Sequence, residues 1–165
     1  PYDVRVNEPY YHYETFDFDI ALGSVGDVYD RMMVRFEEIR QSIRIIIQAY
    51  NRLPDGDICV KDASISLPSK HAVYSNIEGL MNQFKLIYEG VKVPAKEYYR
   101  AIEGGNGELG FFIISDGSGT PYKVKVRPPC FYAMAAYPSM IEGSMIADAV
   151  LCLGSLNIIA GELDR

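Results

Sequence analysis

This chain has little of what metal centres and hydrolytic active sites are built from. Its 165 residues include two histidines, His12 and His71, and three cysteines, Cys59, Cys130 and Cys152. The cysteines are odd in number and contain no CxxC pair, which disfavours a disulfide framework and a zinc or iron-sulfur site. Each reads instead as a small buried hydrophobe in a reduced cytoplasmic interior. Neither histidine has a carboxylate or cysteine at ligand spacing, and His71, at an expected helix start, reads as a surface residue. No serine, cysteine or lysine lies in a nucleophile motif. Gly104-Gly105-Asn106-Gly107 lacks the strand-to-helix context of a phosphate loop and reads as a hairpin turn.

Runs of one kind are missing too. A net charge of −6 and a pI near 4.9, with no Lys/Arg run, exclude a phosphate-neutralising face, so nucleic acid is not an expected partner. Lys123, Lys125 and Arg127 alternate along one expected strand and read as its solvated face. No apolar run, Ile45 to Ile47 and Phe111 to Ile114 among them, approaches the roughly 18 to 20 residues that cross a bilayer. There is no internal repeat or low-complexity tract. What remains is 48% hydrophobic and 23% charged residues, enough for one domain with a core.

The periodicities define an α+β chain. Phe16, Phe18 and Ile20 alternate with Asp17 and Asp19, predicting a short strand after an irregular, tyrosine-rich lead-in. Ser24 followed by Asp27 resembles a capping box. Val28, Met32, Phe36, Ile39, Ile43, Ile46 and Tyr50 then recur every three or four residues, predicting a long amphipathic helix that stops at Pro54-Asp55-Gly56. After a loop, Pro68-Ser69 opens a second helix with Val73, Ile77, Leu80, Phe84 and Ile87 on one stripe and Gly90 at its end. Two long helices joined by a loop suggest an antiparallel pair. Beyond Pro94 the period shortens toward two, giving strands at Tyr98 to Ile102, Phe111 to Ser115 and Tyr122 to Val126 in a small antiparallel sheet that Pro128-Pro129 ends. Ser139 to Leu156 predicts a C-terminal helix, broken at Gly143 or ended by Gly154. The expected organisation is a single region over 1–165: a helical hairpin with an N-terminal strand over 1–92, the sheet over 93–129, and a C-terminal helix and tail over 130–165.

The stretch from Gly107 to Pro129 carries more. Asp116-Gly117-Ser118-Gly119 supplies residues tolerant of positive φ between two strands rich in aromatic and β-branched side chains. Glu108-Leu109-Gly110, Ser115-Asp116-Gly117 and Pro121-Tyr122 with Lys125-Val126-Arg127 resemble the hairpin of the quinone-binding large subunit of respiratory complex I, the one designated D. That family is related to the large subunits of nickel-iron hydrogenases. Gly26-Asp27-Val28-Tyr29-Asp30-Arg31, followed by Val34-Arg35, Glu37-Glu38 and Gln41-Ser42, is similar to the family's long helix. Gly161-Glu162-Leu163-Asp164-Arg165 is similar to its usual ending. The resemblance covers nearly the whole chain and matches the C-terminal part of a longer family member, so a fragment is expected.

The resemblance implies a subunit of a proton-pumping NADH:quinone oxidoreductase, peripheral on the cytoplasmic face of the inner membrane. Its implied partners are the other subunits of the peripheral arm, above all the iron-sulfur subunit that carries the terminal cluster. Quinone would be the substrate of the full complex, and this stretch would bind no cofactor of its own. Nickel-iron hydrogenases have an Asp-Pro-Cys-x-x-Cys motif where this chain has Asn157 to Glu162. Ile159 and Glu162 stand in place of its two cysteines, and an isoleucine cannot ligate a metal. In complex I the equivalent region forms part of the wall of the quinone cavity, which implies pocket roles for Asn157 and Ile159. The plainer reading of the same stretch is a buried chain terminus. Asn157 replaces a usual acidic residue and Asn106 a usual basic one. The family's headgroup-holding histidine and tyrosine lie upstream of Pro1, so no complete site is expected here and the isolated chain should be inactive. Rival readings are a related membrane-bound hydrogenase, a dehydrogenase with another electron donor, and a catalytically silent assembly module.

Overall fold

A computed structural model describes residues 1–164; Arg165, the last residue of the family-like ending, lies outside them. Its elements run α1 (Val4–Asn7), a 3-10 turn (Tyr13–Thr15), α2 (Val28–Asn51), α3 (Lys70–Ser75), α4 (Ile77–Phe84), a π-helical turn (Lys85–Glu89), β1 (Lys96–Gly104), β2 (Gly107–Ser115), β3 (Lys123–Arg127), α5 (Pro129–Ala135), α6 (Tyr137–Ile141), α7 (Ile146–Leu156) and α8 (Ala160–Leu163). The strands form one antiparallel sheet in the order β1-β2-β3, so the chain is α+β with C-terminal helices. Short connections of this kind join only antiparallel neighbours. The chain divides into two compact units. The first comprises Pro1–Leu53, Ala101–Gly110 and Val126 onward; the second comprises Pro54–Arg100 and Phe111–Lys125.

In the first unit, α2 is the long amphipathic helix that the apolar spacing predicts, but its start differs. Asp27, not Ser24, is the N-cap, its carboxylate accepting from the Asp30 N–H at 2.7 Å. The Asp30 carboxylate turns back and accepts from the N–H groups of Ser24, Val25 and Gly26 at 2.7 to 2.9 Å. Those bonds, from Gly26 and Val25 foremost, hold its pKa below the ordinary range. The helix packed on α2 within this unit is α7. Arg31 joins them, donating to Ser155 Oγ at 2.8 Å and lying 3.9 Å from the Cys152 sulfur.

No strand forms over residues 16–20, contrary to the alternation there. The segment is extended, and side chains of α2 take the place of a neighbouring strand. Gln48 Oε1 accepts from the Asp17 N–H at 2.9 Å while Gln48 Nε2 donates to the Asp17 carbonyl at 2.7 Å; two turns earlier on the helix, Gln41 accepts from the Asp19 N–H at 3.1 Å. Alternation marks an extended chain with two different faces, and a row of glutamines on a helix satisfies it as a strand edge would.

The start of the chain is tied to β1. The Val4 N–H donates to Glu103 at 3.0 Å, and Tyr10 Oη accepts from the Glu103 N–H at 2.9 Å. Burial pushes the Glu103 carboxyl up. It also acts upward on buried Asp3, but hydrogen bonds and charge from Arg5, at 2.6 Å, outweigh it and hold that carboxyl below its ordinary value.

The second unit corrects the expectation of a second long helix. The segment after Pro68 is broken at Asn76, whose backbone is extended (φ −128°, ψ 136°), into α3 and α4. A side chain at Gly79 would run into the Ala72 carbonyl, so the two short helices approach backbone to backbone where one continuous rod would have kept them in line. The helical run ends at Gly90, with φ of 73°. Cys59 is exposed, unlike buried Cys130 and Cys152, because it lies in the irregular segment before α3. Among the described residues, no helix is long and apolar enough to cross a membrane.

Candidate functional site

The residues singled out near the C-terminus lie in the first unit and meet there. Gly143, with φ of 80°, breaks the predicted C-terminal helix into α6 and α7, and Gly154 lies inside α7. The helix ends at Asn157 in the left-handed conformation (φ 54°, ψ 45°), one that asparagine tolerates better than most residues. This reversal sends the tail away from α7 and frees the Asn157 side chain. Its Nδ2 donates to Asn106 Oδ1 at 2.6 Å, so the two positions at which the resemblance implies a charged residue are bonded to each other.

Asn106 belongs to the β1–β2 turn, which is the hairpin turn predicted from the glycines around it. Gly107 leaves it with φ of 122°, and a Cβ there would lie 3.3 Å from the Pro129 Cβ, so glycine lets the turn come close to the start of α5. Arg35 holds the turn from α2. It donates to the Gly105 carbonyl at 3.2 Å and to Glu38 at 2.7 Å. Arg127 is partly covered, donating to the Glu108 carbonyl at 2.8 Å with its guanidinium 4.3 Å from the Tyr132 ring centroid.

The sulfur of Cys130 completes the group. It accepts from Asn106 Nδ2 at 3.3 Å and from the Ile159 N–H at 3.4 Å, and the Cys130 N–H donates to the Glu162 carboxylate at 3.1 Å. Pro128 begins α5 without a side-chain cap, so Glu162 of the tail serves as its acceptor. Burial pushes the Cys130 thiol up, and the Glu162 carboxylate adds to the shift, keeping the sulfur protonated at neutral pH. Sequence reasoning missed this role, since a thiol between Pro129 and Phe131 carries no mark of its remote partners.

Ile159 is pinned by its backbone yet 51% exposed, and Asn157 is exposed beside it. Both therefore differ from the buried terminus that is the plainer reading of the tail. Asn157 also borders a mainly apolar cleft of about 680 Å3, whose walls are Met32, Phe36 and Ile39 of α2 and Val150 and Leu151 of α7. Ile159 does not line that cleft. The arrangement offers a fixed apolar side chain, a neutral amide pair and a neighbouring apolar groove. Among the described residues, no three His, Cys, Asp or Glu side chains gather where they could hold a metal ion.

Comparisons with known proteins agree with the resemblance seen in the motifs. Over 163 residues the chain is 53% identical to the C/D subunit of the NADH-quinone oxidoreductase of Bdellovibrio bacteriovorus, covering 99% of this chain and 29% of that protein. It is 52% identical over 164 residues to the D subunit of the Myxococcus xanthus enzyme, covering 99% of the chain and 40% of the relative. It is 53% identical over 166 residues to the D 1 subunit of the Sorangium cellulosum enzyme, covering 100% and 41%. The chain thus spans well under half the length of these relatives. The family model described as respiratory-chain NADH dehydrogenase, 49 Kd subunit, matches residues 1–165, and the chain belongs to that family.

Proposed function

We propose that this chain is the C-terminal part of the quinone-binding subunit of a proton-pumping NADH:quinone oxidoreductase and that Asn157 and Ile159 supply part of the wall of its quinone cavity. The observation that carries this reading is the tail itself: Ile159 is held by its backbone at Cys130 while its apolar side chain stays half open to solvent. A wall residue needs this combination of fixed position and free face. Named relatives supply the reaction class. The histidine and tyrosine that hold the headgroup come, in this reading, from residues upstream of Pro1, and the electrons come from an iron-sulfur cluster in a neighbouring subunit of the peripheral arm. The complex sits on the cytoplasmic face of the membrane. The exposed apolar residues of α2, among them Phe36 and Ile46, fit a chain that other parts of the assembly cover.

The test is Ile159→Met in the whole complex. The change alters shape without adding charge and costs at most about 1.5 kcal/mol of stability, so assembly survives. The apparent affinity for quinone, or for inhibitors competing with it, shifts, while electron transfer from NADH to an artificial acceptor that bypasses the cavity stays near wild type. An assembled mutant enzyme with unaltered quinone and inhibitor kinetics overturns the assignment.

A further inference from the structure

We infer that Cys130 is a positioning residue: its sulfur sets where the tail presents Ile159, by bonding the tail and the β1–β2 turn to the start of α5. This deepens the quinone-wall reading and rests on it. Three segments far apart in sequence converge on one atom, the Asn106 side chain from the turn, the Ile159 N–H from the tail, and Cys130 itself from α5. The residue is fully buried, at 0% exposure, so no water can take over as acceptor. Removing the sulfur's lone pairs leaves the Asn106 and Ile159 donors facing an apolar group. The Ile159 backbone then has a reason to move.

The same geometry makes the inference separable from a folding defect. The Cys130 N–H to Glu162 bond uses the backbone of Cys130 and survives any change of its side chain except proline. The bond from Asn157 to Asn106 also survives. The tail therefore keeps two of its attachments when the sulfur is lost, while the Ile159 N–H and the contact of the thiol with the Glu162 carboxylate are released. Neither Asn106 nor Asn157 titrates, so a positional change should appear as altered quinone affinity with the same pH profile.

The experiment compares Cys130→Val, Cys130→Ala and Cys130→Ser in the assembled oxidoreductase, with a short-chain water-soluble quinone as the probe. Valine keeps the volume and removes the acceptor, alanine removes both, and serine keeps an acceptor. The expected result is a rise of roughly fivefold in the apparent KM for quinone in C130V and C130A, the equivalent of losing one hydrogen bond of about 1 kcal/mol. The rate with an artificial acceptor that bypasses the cavity stays unchanged, and C130S recovers most of the affinity. Wild-type quinone kinetics in C130V or C130A overturn the inference. So does a failure of both to assemble while C130S assembles, which makes the sulfur a folding requirement. Parallel measurement of I159M separates the two ideas. If I159M shifts quinone affinity and C130V does not, the wall stands and the positioning role falls; if neither shifts it, the wall reading falls first.

Discussion

The two turns of the sheet are built in opposite ways. The β2–β3 connection is bonded largely within itself: the Ser118 N–H donates to Asp116 Oδ1 at 2.9 Å, Ser118 Oγ donates to the Thr120 carbonyl at 2.7 Å, and Gly117 adopts φ of 95°. The β1–β2 turn has two residues between its strands and is held from outside by Arg35 of α2, Asn157 after α7 and Cys130 of α5. A locally bonded turn shapes its own strand pairing. A turn bonded by remote side chains reports where those remote elements are, and it is the one that meets the candidate site.

The largest effect is expected at Gly119, the point where the self-bonded turn does touch something else. A Cβ there would collide with the Glu89 carbonyl, beside the positive-φ Gly90 that ends the helical run. Gly119→Ala should lower stability by about 3 kcal/mol, the upper end for overpacking, read as a drop in the urea midpoint. An unchanged midpoint would mean that this turn is independent of its surroundings.

A smaller effect is expected at Asn157, where two contributions can be pulled apart. Asn157→Ala loses the bond to Asn106 and places a Cβ-bearing residue without a compensating side chain at φ of 54°, for a cost of about 1 to 2 kcal/mol. Asn157→Gly loses only the bond and should cost less. Equal losses in thermal unfolding would show that the left-handed cap contributes nothing.

The smallest effect is a difference in acid response. The Ser118 hydroxyl beside it and the Ser118 N–H that donates to it hold the Asp116 carboxyl below its ordinary value. A carboxylate with a depressed folded pKa adds stability that is present above its unfolded value, near about pH 3.9, and is lost as pH falls through the folded value. The Ser118 amide resonance should therefore titrate below about pH 4. In Asp116→Asn it should not, and the side-chain amides of Asn106 and Asn157 should show no titration of their own. Matching acid responses in both turns would erase the distinction between them.

The same division explains what could be read in advance. The spacing of Val28, Met32, Phe36 and Ile39 marks α2, and Gly90, Gly143 and the glycines around Asn106 mark ends and turns, because each acts through its own backbone or its near neighbours. The predicted strand at Phe16 to Ile20 fails for the opposite reason. Alternation specifies an extended chain, and whether a strand or a helix bearing Gln41 and Gln48 lies beside it is decided elsewhere. The long second helix fails at Asn76 because a close approach of Gly79 to Ala72 outweighs a continuous apolar stripe.

At the candidate site, motif resemblance pointed to Asn157 and Ile159, and the sequence alone determined that one is a neutral amide and the other an apolar side chain unable to ligate a metal. Tertiary structure decided the rest: that Asn157 bonds to Asn106, that Ile159 is fixed through its backbone with its side chain half exposed, and that a buried thiol connects them. The physical reason is the reach of the forces involved. Backbone conformation and helix periodicity are set by residues within a few positions of one another. A hydrogen bond across 51 residues exists only after α7, the β1–β2 turn and the tail have been brought to the same place.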